Sequence, residues 1–530
     1  MKTPSRRGNL CIVLHGHLPY IRHPEHPDFL EERWLFEAIT ETYLPLLDRL
    51  TTLVEEGVPF RLTVSISPTL GAMLADPLLQ QRYLSHLDRL RALAAREGGR
   101  TAAGGGRFRP LAEHYRRQFA HCRWLFVERF QRDLLGAFRR LAQSGCVELM
   151  TCAATHGFLP LMAVSPESIA TQVEVGCQAF EQAFGWRPAG FWLPECGYHP
   201  AVEPALKAAG IQYTFVESHG LLYGRPRPAY GVYAPVRNPT GTAVFGRDPE
   251  TTRQVWSSAD GYPGDPWYRE FYRDLGFELP LDQLAPAVHP DGIRTATGLK
   301  YYRITDRTEQ KAPYEPARAA EQADAHAGHF VFNRDRQVEH LAGVLGGPPL
   351  IVAPYDAELF GHWWYEGPHW LELVLRRLAA HPTVGLTTPS EYLRCAPRLQ
   401  TVAPCLSSWG WKGYNEMWLQ GANAWIYPHL HHASQRMSAL VRAHPSADGL
   451  RRRALTQALR ELLLAQASDW AFIMATGTAV DYARTRTRRH LARFAQLDQQ
   501  ITRGPLDARV VAECEAHTPC FPWLDYRVHR

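Results

Sequence analysis

Two carboxylates stand out by where they fall in the chain. Glu195 closes the run Ala189-Gly-Phe-Trp-Leu-Pro-Glu195 and Asp356 closes Leu350-Ile-Val-Ala-Pro-Tyr-Asp356, each surrounded by aromatics rather than by cationic partners. Two carboxyl groups delivered to one end of a parallel sheet, amid Trp192, Trp363 and Trp364, are what hydrolysis or transfer of a sugar bond requires. The bland alternative for Glu195 is an exposed loop carboxylate, the common fate of glutamate; Pro194 and the run Phe191-Trp192-Leu193 weigh against it. For Asp356 the alternative is a helix N-cap. Glu358 would share its face in an extended strand, and a neighbouring carboxylate plus aromatic desolvation would raise the Asp356 pKa, as a general acid at neutral pH requires.

His15-Gly-His17 follows another apolar run, so its two imidazoles project to the same side of an extended chain. With His156 of Thr155-His-Gly-Phe158 from a neighbouring strand end they could ligate zinc. They could equally hydrogen-bond sugar hydroxyls and hold the carboxylates in place, or be ordinary structural histidines. Of fifteen tryptophans, eleven lie beyond residue 250, and Trp409, Trp411, Trp418 and Trp425 crowd one stretch. Indole faces stack on the apolar faces of pyranose rings and leave the hydroxyls free to bond, although any single Trp is as readily a core residue. Trp409 and Trp418 are read as ring-stacking positions, with Trp192, Trp256, His362, Trp364, Asp469 and Trp470 as further candidate contacts.

The elements that must position these groups are apolar runs of strand length at Cys11 to Leu14, Phe60 to Ile66, Val147 to Cys152, Ala189 to Leu193, Ile211 to Val216, Leu350 to Ala353 and Val384 to Thr387. Several are continuous rather than alternating and most are separated by helix-length segments, which marks parallel strands buried on both faces. Seven such strands suggest a closed or nearly closed barrel, an open doubly wound sheet being the alternative. His15, His156, Glu195 and Asp356 all lie just past a run, where barrel catalytic groups sit. Leu79 to Ser144 carries two helix-like stretches broken by Gly104-Gly-Gly106 and Pro110 and reads as a helical insertion. The irregular, Pro-, Gly- and Tyr-rich stretch from Ser218 to Gly346 reads as long loops walling a site. Leu450 to Ala475 has apolar positions at helical spacing. The domain reading is therefore barrel 1–78, insertion 79–145, barrel 146–404 with site loops over 218–346, and a C-terminal helical domain over 405–530.

With 530 residues, 45% hydrophobic and 21% charged, the chain can bury a large core. A net charge of +5 without a run of five like charges leaves no footprint for nucleic acid or an anionic membrane, and a neutral substrate fits better. Ten cysteines without a Cys-x-x-Cys pair, with Cys11, Cys146, Cys152 and Cys196 in or beside strand runs, read as buried thiols in a reducing compartment; Cys514 and Cys520 are a close pair outside those runs. The segment Met1 to Asn9 is basic, but the apolar run after it stops at His15, too short for a signal peptide. No run reaches the ~18 apolar residues of a membrane span. The protein reads as soluble and cytoplasmic.

Five ordered motifs then carry a resemblance: His15-Gly-His-Leu-Pro19; Glu148-Leu-Met-Thr with His156-Gly-Phe-Leu-Pro160; Trp192-Leu-Pro-Glu195; Tyr355-Asp-Ala-Glu-Leu-Phe-Gly-His-Trp-Trp364; and Ala467-Ser-Asp-Trp470. Together they resemble glycoside hydrolase family 57, nearest its 1,4-α-glucan branching enzymes and α-amylase-like members, over nearly the whole chain. The resemblance implies an α/β fold, a (β/α)7 barrel with a helical insertion and a C-terminal α-helical domain. It also implies retention of the α-configuration with no cofactor and no metal. By motif, Glu195 corresponds to the nucleophile and Asp356 to the general acid/base. His15 and His156 correspond to substrate contacts, with Trp409, Trp418 and Asp469 around the site. Retention implies a carboxyl separation of roughly 5 Å. The implied partner is an α-1,4-glucan such as amylose, glycogen or maltodextrin. Branching members carry a long loop with a tyrosine near its tip that shields the intermediate from water; the corresponding region here, Tyr230 to Arg247, is abbreviated. A hydrolytic α-glucanase is therefore the second reading, followed by a metal-dependent polysaccharide deacetylase and a non-catalytic glucan-binding protein.

Overall fold

Nine strands form: β1 (Gly8–Gly16), β2 (Leu62–Ile66), β3 (Val147–Cys152), β4 (Gly190–Trp192), β5 (Tyr213–Val216), β6 (Val236–Arg237), β7 (Ala243–Gly246), β8 (Leu350–Asp356) and β9 (Val384–Leu386). They belong to a computed structural model that describes residues 6–530 apart from Ser258, Pro286, Pro290, Arg307 and Pro397. The first five residues of the basic N-terminal segment thus lie outside the described residues. β7, β5, β4, β3, β2, β1 and β8 follow one another as parallel neighbours. β6 is antiparallel to β7, and β9 pairs with the first residues of β1. The sheet curls until its ends meet: the Asp248 N–H after β7 donates to the Val352 carbonyl of β8, and the Leu350 N–H donates to the Tyr233 carbonyl, both at 2.8 Å. This is the (β/α)7 barrel, nearly closed rather than doubly wound.

The count of seven strands hides one exchange. Val384 to Thr387 is a strand, but outside the main path; the seventh barrel strand is β7, inside the stretch read as loops. That stretch also holds the thirty-residue helix Pro316–Leu345, so it is not one long irregular wall. Its Pro- and Gly-rich composition masks a short apolar run, Ala243-Val-Phe-Gly246, whose four residues give periodicity little to work with.

Alternation along the strands decides what reaches the site. Cys11 and Val13 of β1, Met150 and Cys152 of β3, Trp192 of β4, Tyr213 and Phe215 of β5, Ala243 and Phe245 of β7, and Leu350 and Val352 of β8 pack together as the barrel interior. Continuing each series in steps of two gives His15, Glu217, Arg247 and Asp356, which therefore face the axis at the C-terminal end. Register agrees: His15 pairs with Ser65 of β2 on one side and with Asp356 on the other.

The insertion is helical, as Pro77–Ala103, Arg109–Trp124 and Leu134–Gln143, with the break at Gly104 to Gly106. Pro110 stands in the first turn of the second helix, where its missing N–H costs nothing. Beyond Trp425 come Ile426–Ala443, Gly449–Ala465, Ser468–Thr476 and Val480–Arg503. The single helical pattern from Leu450 to Ala475 is in fact two helices, parted at Gln466 and Ala467, where Ala467 bridges to Gly157 after β3. That break brings the start of the next helix to the barrel mouth. The ten cysteines are free thiols; Cys11, Cys152, Cys196, Cys514 and Cys520 are buried, and Cys146 is half-buried. Among the described residues no helix is long and apolar enough to cross a membrane.

The chain after Asp356 is pressed against the π-helical turn Ile39–Tyr43. Gly361 adopts φ +112°, and a Cβ there would lie 1.7 Å from the Glu41 carbonyl oxygen. Gly361→Ala is therefore expected to cost roughly 3 kcal/mol or more, seen as a lowered midpoint of thermal unfolding; an unaltered midpoint would mean this close approach is not maintained.

Candidate active site

β3 and β4 both end in left-handed backbone, with φ +57° at His156, +61° at Glu195 and +51° at Cys196. Residues other than glycine rarely adopt it, at a cost of about 1–3 kcal/mol each. Here it turns the His156 and Glu195 side chains over the barrel mouth. Glu195 is recessed, its side chain 17% exposed, and its carboxylate is held from outside the barrel. Trp409 donates through Nε1 to Oε2 at 2.9 Å, and Ser468 through Oγ to Oε1 at 3.1 Å. The Trp409 N–H also donates to the Glu195 carbonyl at 3.0 Å.

A chain of hydrogen bonds runs inward from there. Ser468 Oγ lies 2.9 Å from His156 Nδ1, His156 Nε2 lies 3.0 Å from His15 Nε2, and His15 Nδ1 lies 3.1 Å from Ser65 Oγ. Burial, and then the charge of His17, hold both His15 and His156 well below the ordinary imidazole pKa. With both rings neutral, one direction satisfies every link: Ser65 donates to His15, His15 to His156, His156 to Ser468, and Ser468 to an ionised Glu195. His17 behaves oppositely. Its burial is outweighed by Asp469, whose carboxylate oxygens lie 3.0 and 3.1 Å from Nε2, and by Glu195 and Glu358, so its pKa is raised. Its ring stacks on His156 at 3.6 Å.

Asp356 sits in the contrary setting. Among the described residues no donor reaches its carboxyl, and it makes no capping hydrogen bond to the turn that follows, which removes the N-cap reading. Burial first, then Glu358 and Glu195, raise its pKa well above the ordinary aspartate value, against a smaller opposing pull from Arg247. Burial also raises Glu195, but the hydrogen bonds from Trp409 and Ser468 and the charge of His17 work against it. Glu358 is half-buried, accepting from Tyr43 and from the His17 N–H, and desolvation raises it too. Both carboxyls are thus raised, but only Glu195 has donors that favour its ionised form.

The structure brings together His15, His17, His156, Glu195, Asp356, Trp409 and Asp469. Trp192 underlies them, stacked at 4.8 Å beneath His15 and 5.0 Å from Trp409, but it is fully buried and offers no free face. Trp256 stands beside Trp409 with 43% of its surface exposed. Three of the candidate sugar contacts are core residues instead. Trp364 lies in the core against Tyr268 and Trp370, Trp418 is stacked under Phe158, and Trp470 donates to the Leu464 carbonyl; none has more than 1% of its surface exposed. Each supports the floor or the adjoining helix, and a hydrophobic ring at helical or loop spacing gives no sequence sign of which way it faces. His362 turns away too, its Nδ1 2.9 Å from Glu41 Oε2.

Sequence reasoning missed Glu217, Arg247 and Ser468. Glu217 follows β5 and Arg247 follows β7, so the strand-end rule would have found the first at once and the second had β7 been recognised. They pair at 2.9 Å, and Arg247 covers the Trp409 ring. Ser468 stood within a quoted motif, beside Asp469. Tyr230 is exposed, and Tyr233 lies by the start of β8, at the other end of the barrel from Asp356. As for cations, His15, Cys152 and His156, or His17, His156 and Asp469, have donor atoms within 4.8 Å of one another. The ring nitrogens in both sets are already engaged in the network above.

A family profile described as "Glycosyl hydrolase family 57" matches residues 11–404, and one described as "1,4-alpha-glucan branching enzyme, C-terminal" matches residues 429–529. A 1,4-alpha-glucan branching enzyme of Thermococcus kodakarensis is 34% identical over 96% of this chain and 76% of its own. Among solved structures, an alpha-amylase of Thermotoga maritima superposes with TM-score 0.92 and 41% identity over 99% of both chains. A GH57-type branching enzyme of Pyrococcus horikoshii gives 0.88 and 34% over 99% of this chain and 97% of that one.

Removing the Trp409 donor tests the electrostatics directly. A hydrogen bond to the ionised form lowers a carboxyl pKa, so Trp409→Phe should raise the Glu195 titration midpoint, followed by carboxyl carbon NMR. An unmoved midpoint would show that this bond does not hold the carboxylate.

Proposed function

We propose, since the chain belongs to glycosyl hydrolase family 57, that it is a retaining 1,4-α-glucan branching enzyme. It cuts an α-1,4 bond and moves the released chain to a 6-hydroxyl, making an α-1,6 branch. The observation that carries this reading is that the segment resembling a branching-enzyme C-terminal region supplies Ser468 to the Glu195 carboxylate.

Glu195 is the nucleophile and Asp356 the general acid/base. Glu195, ionised and oriented, attacks the anomeric carbon while Asp356 gives its proton to the leaving oxygen; an acceptor hydroxyl, deprotonated by the now-ionised Asp356, then releases the glucosyl-enzyme. Two inversions retain the configuration. His15 and His156 orient Glu195 through Ser468. His17, its ring nitrogens held by Ser67 and Asp469, positions the Asp469 carboxylate at the mouth, and the exposed Trp256 ring receives a pyranose unit. The substrate is an α-1,4-glucan such as amylose, glycogen or maltodextrin, the setting is cytoplasmic, and the chain divides into barrel (1–78, 146–404), insertion (79–145) and C-terminal helical domain (405–530). Hydrolysis is the second reading, favoured by the likeness to the Thermotoga alpha-amylase and by the abbreviated 230–247 region.

Incubation with amylose, followed by proton NMR and reducing-end assay, is expected to give α-1,6 signal with few new reducing ends. Reducing ends without α-1,6 signal would make the protein a hydrolase. Glu195→Gln should lower turnover by about 10³-fold or more, and near-normal turnover would reject it as nucleophile. The Glu358 charge raises the Asp356 pKa, so Glu358→Gln should lower it and draw the basic limb of the pH–rate profile to lower pH; an unshifted limb would mean another group sets it.

A further inference from the structure

A cavity of about 260 Å³ lies behind the Ile39–Tyr43 turn, lined among others by Glu37, Glu41, His362, Asp274, Lys300 and Tyr272. The turn separates it from the catalytic cluster: Glu41 faces the cavity, while Tyr43 reaches Glu358. Most of its polar groups are satisfied. Asp274 accepts from the N–H groups of Gly276, Thr297 and Gly298 and from the Thr297 hydroxyl, at 2.7 to 2.8 Å. Glu41 is paired with Arg269 and His362, each at 2.9 Å.

Two groups are left over. Lys300 is 3% exposed, and its ammonium touches the face of Phe271 at 4.3 Å but has no hydrogen-bond or ion-pair partner among the described residues. Glu37 likewise has none. Burial pushes its carboxyl up to about 7 and draws Lys300 down. A buried ammonium without an acceptor is costly and rare. The two opposite groups face the same space without meeting, which disfavours an anion beside Glu37 and a cation beside Lys300. A neutral ligand with hydroxyls that both donate and accept suits the pair. At the rim, Tyr272 is 80% and Phe277 53% exposed, so both rings are free to pack on the apolar face of a sugar. The volume is below the roughly 300–1,000 Å³ of drug-sized pockets and suits a single sugar ring.

We propose that this cavity is an accessory subsite that takes one glucosyl unit of the α-glucan chain, its ring on Tyr272 and its hydroxyls bridging Lys300 and Glu37. The inference rests on the α-glucan reading above and adds a second point of hold behind the catalytic cluster. The test is isothermal titration of a long linear maltodextrin into the full-length Glu195→Gln protein, then with Tyr272→Ala or Lys300→Met added. Each addition should weaken Kd by about five- to tenfold, and in the catalytically intact protein Tyr272→Ala should raise KM for amylose with kcat little altered. Unchanged affinity in either variant overturns the subsite; Tyr272, being exposed, is not needed for folding. Activity of the unsubstituted protein on amylose is read separately. Activity with unaltered variant affinities rejects the subsite alone, whereas no activity with affinities that still depend on both residues rejects the enzyme reading and keeps the subsite.

Discussion

The Glu195 carboxylate has to remain ionised inside the mouth of an apolar barrel, and the rest of the site is arranged around that demand. Removing a carboxylate from water costs several kcal/mol unless hydrogen bonds replace the lost hydration. Nothing on the barrel strands hydrogen-bonds it; the donors are Trp409 and Ser468, from the part of the chain beyond residue 404. The C-terminal helices are therefore part of the proposed site, and the helix break at Gln466 and Ala467 lets Ser468 reach inward. The left-handed backbone at His156 and Glu195 belongs to the same requirement, since both side chains have to turn over the mouth to join one proton-ordered chain.

Asp356 shows the complementary design. It is a barrel residue with no donor, next to Glu358 and within the field of Glu195. Desolvation and like charge raise both carboxyls, and hydroxyl and indole donors oppose the rise at Glu195 alone. Covalent retaining chemistry needs that asymmetry before substrate arrives. The imidazoles diverge in the same way: the carboxylates of Asp469, Glu195 and Glu358 raise the His17 pKa against its burial, while burial lowers that of its stacked neighbour His156.

Much of this was legible because strand ends in a parallel barrel leave a plain mark, a continuous apolar run followed by a polar residue. Glu195, Asp356, His15 and His156 were found that way, and the inward series from Cys11 through Val13 to His15 shows why the mark works. Glu217 was equally visible and was passed over for want of a motif. β7, and Arg247 with it, was hidden by a strand of four residues in a Pro-rich setting. The tryptophans were the least legible. Trp409 and Trp418 come from the same aromatic stretch, yet one donates to Glu195 and the other is buried beneath Phe158. Which way an aromatic faces is decided by packing against distant chain, Phe158 on Trp418 among it, and local composition carries no trace of that.

The account stands on a covalent glucosyl-enzyme at Glu195, and trapping it is the most direct measurement. Asp356→Asn protein would be treated with an activated fluorinated maltosyl donor, digested, and mapped by mass spectrometry. A maltosyl adduct on the peptide carrying Glu195 is the result expected. An adduct on another carboxylate, or full turnover of the donor with inverted product and no adduct, would contradict it.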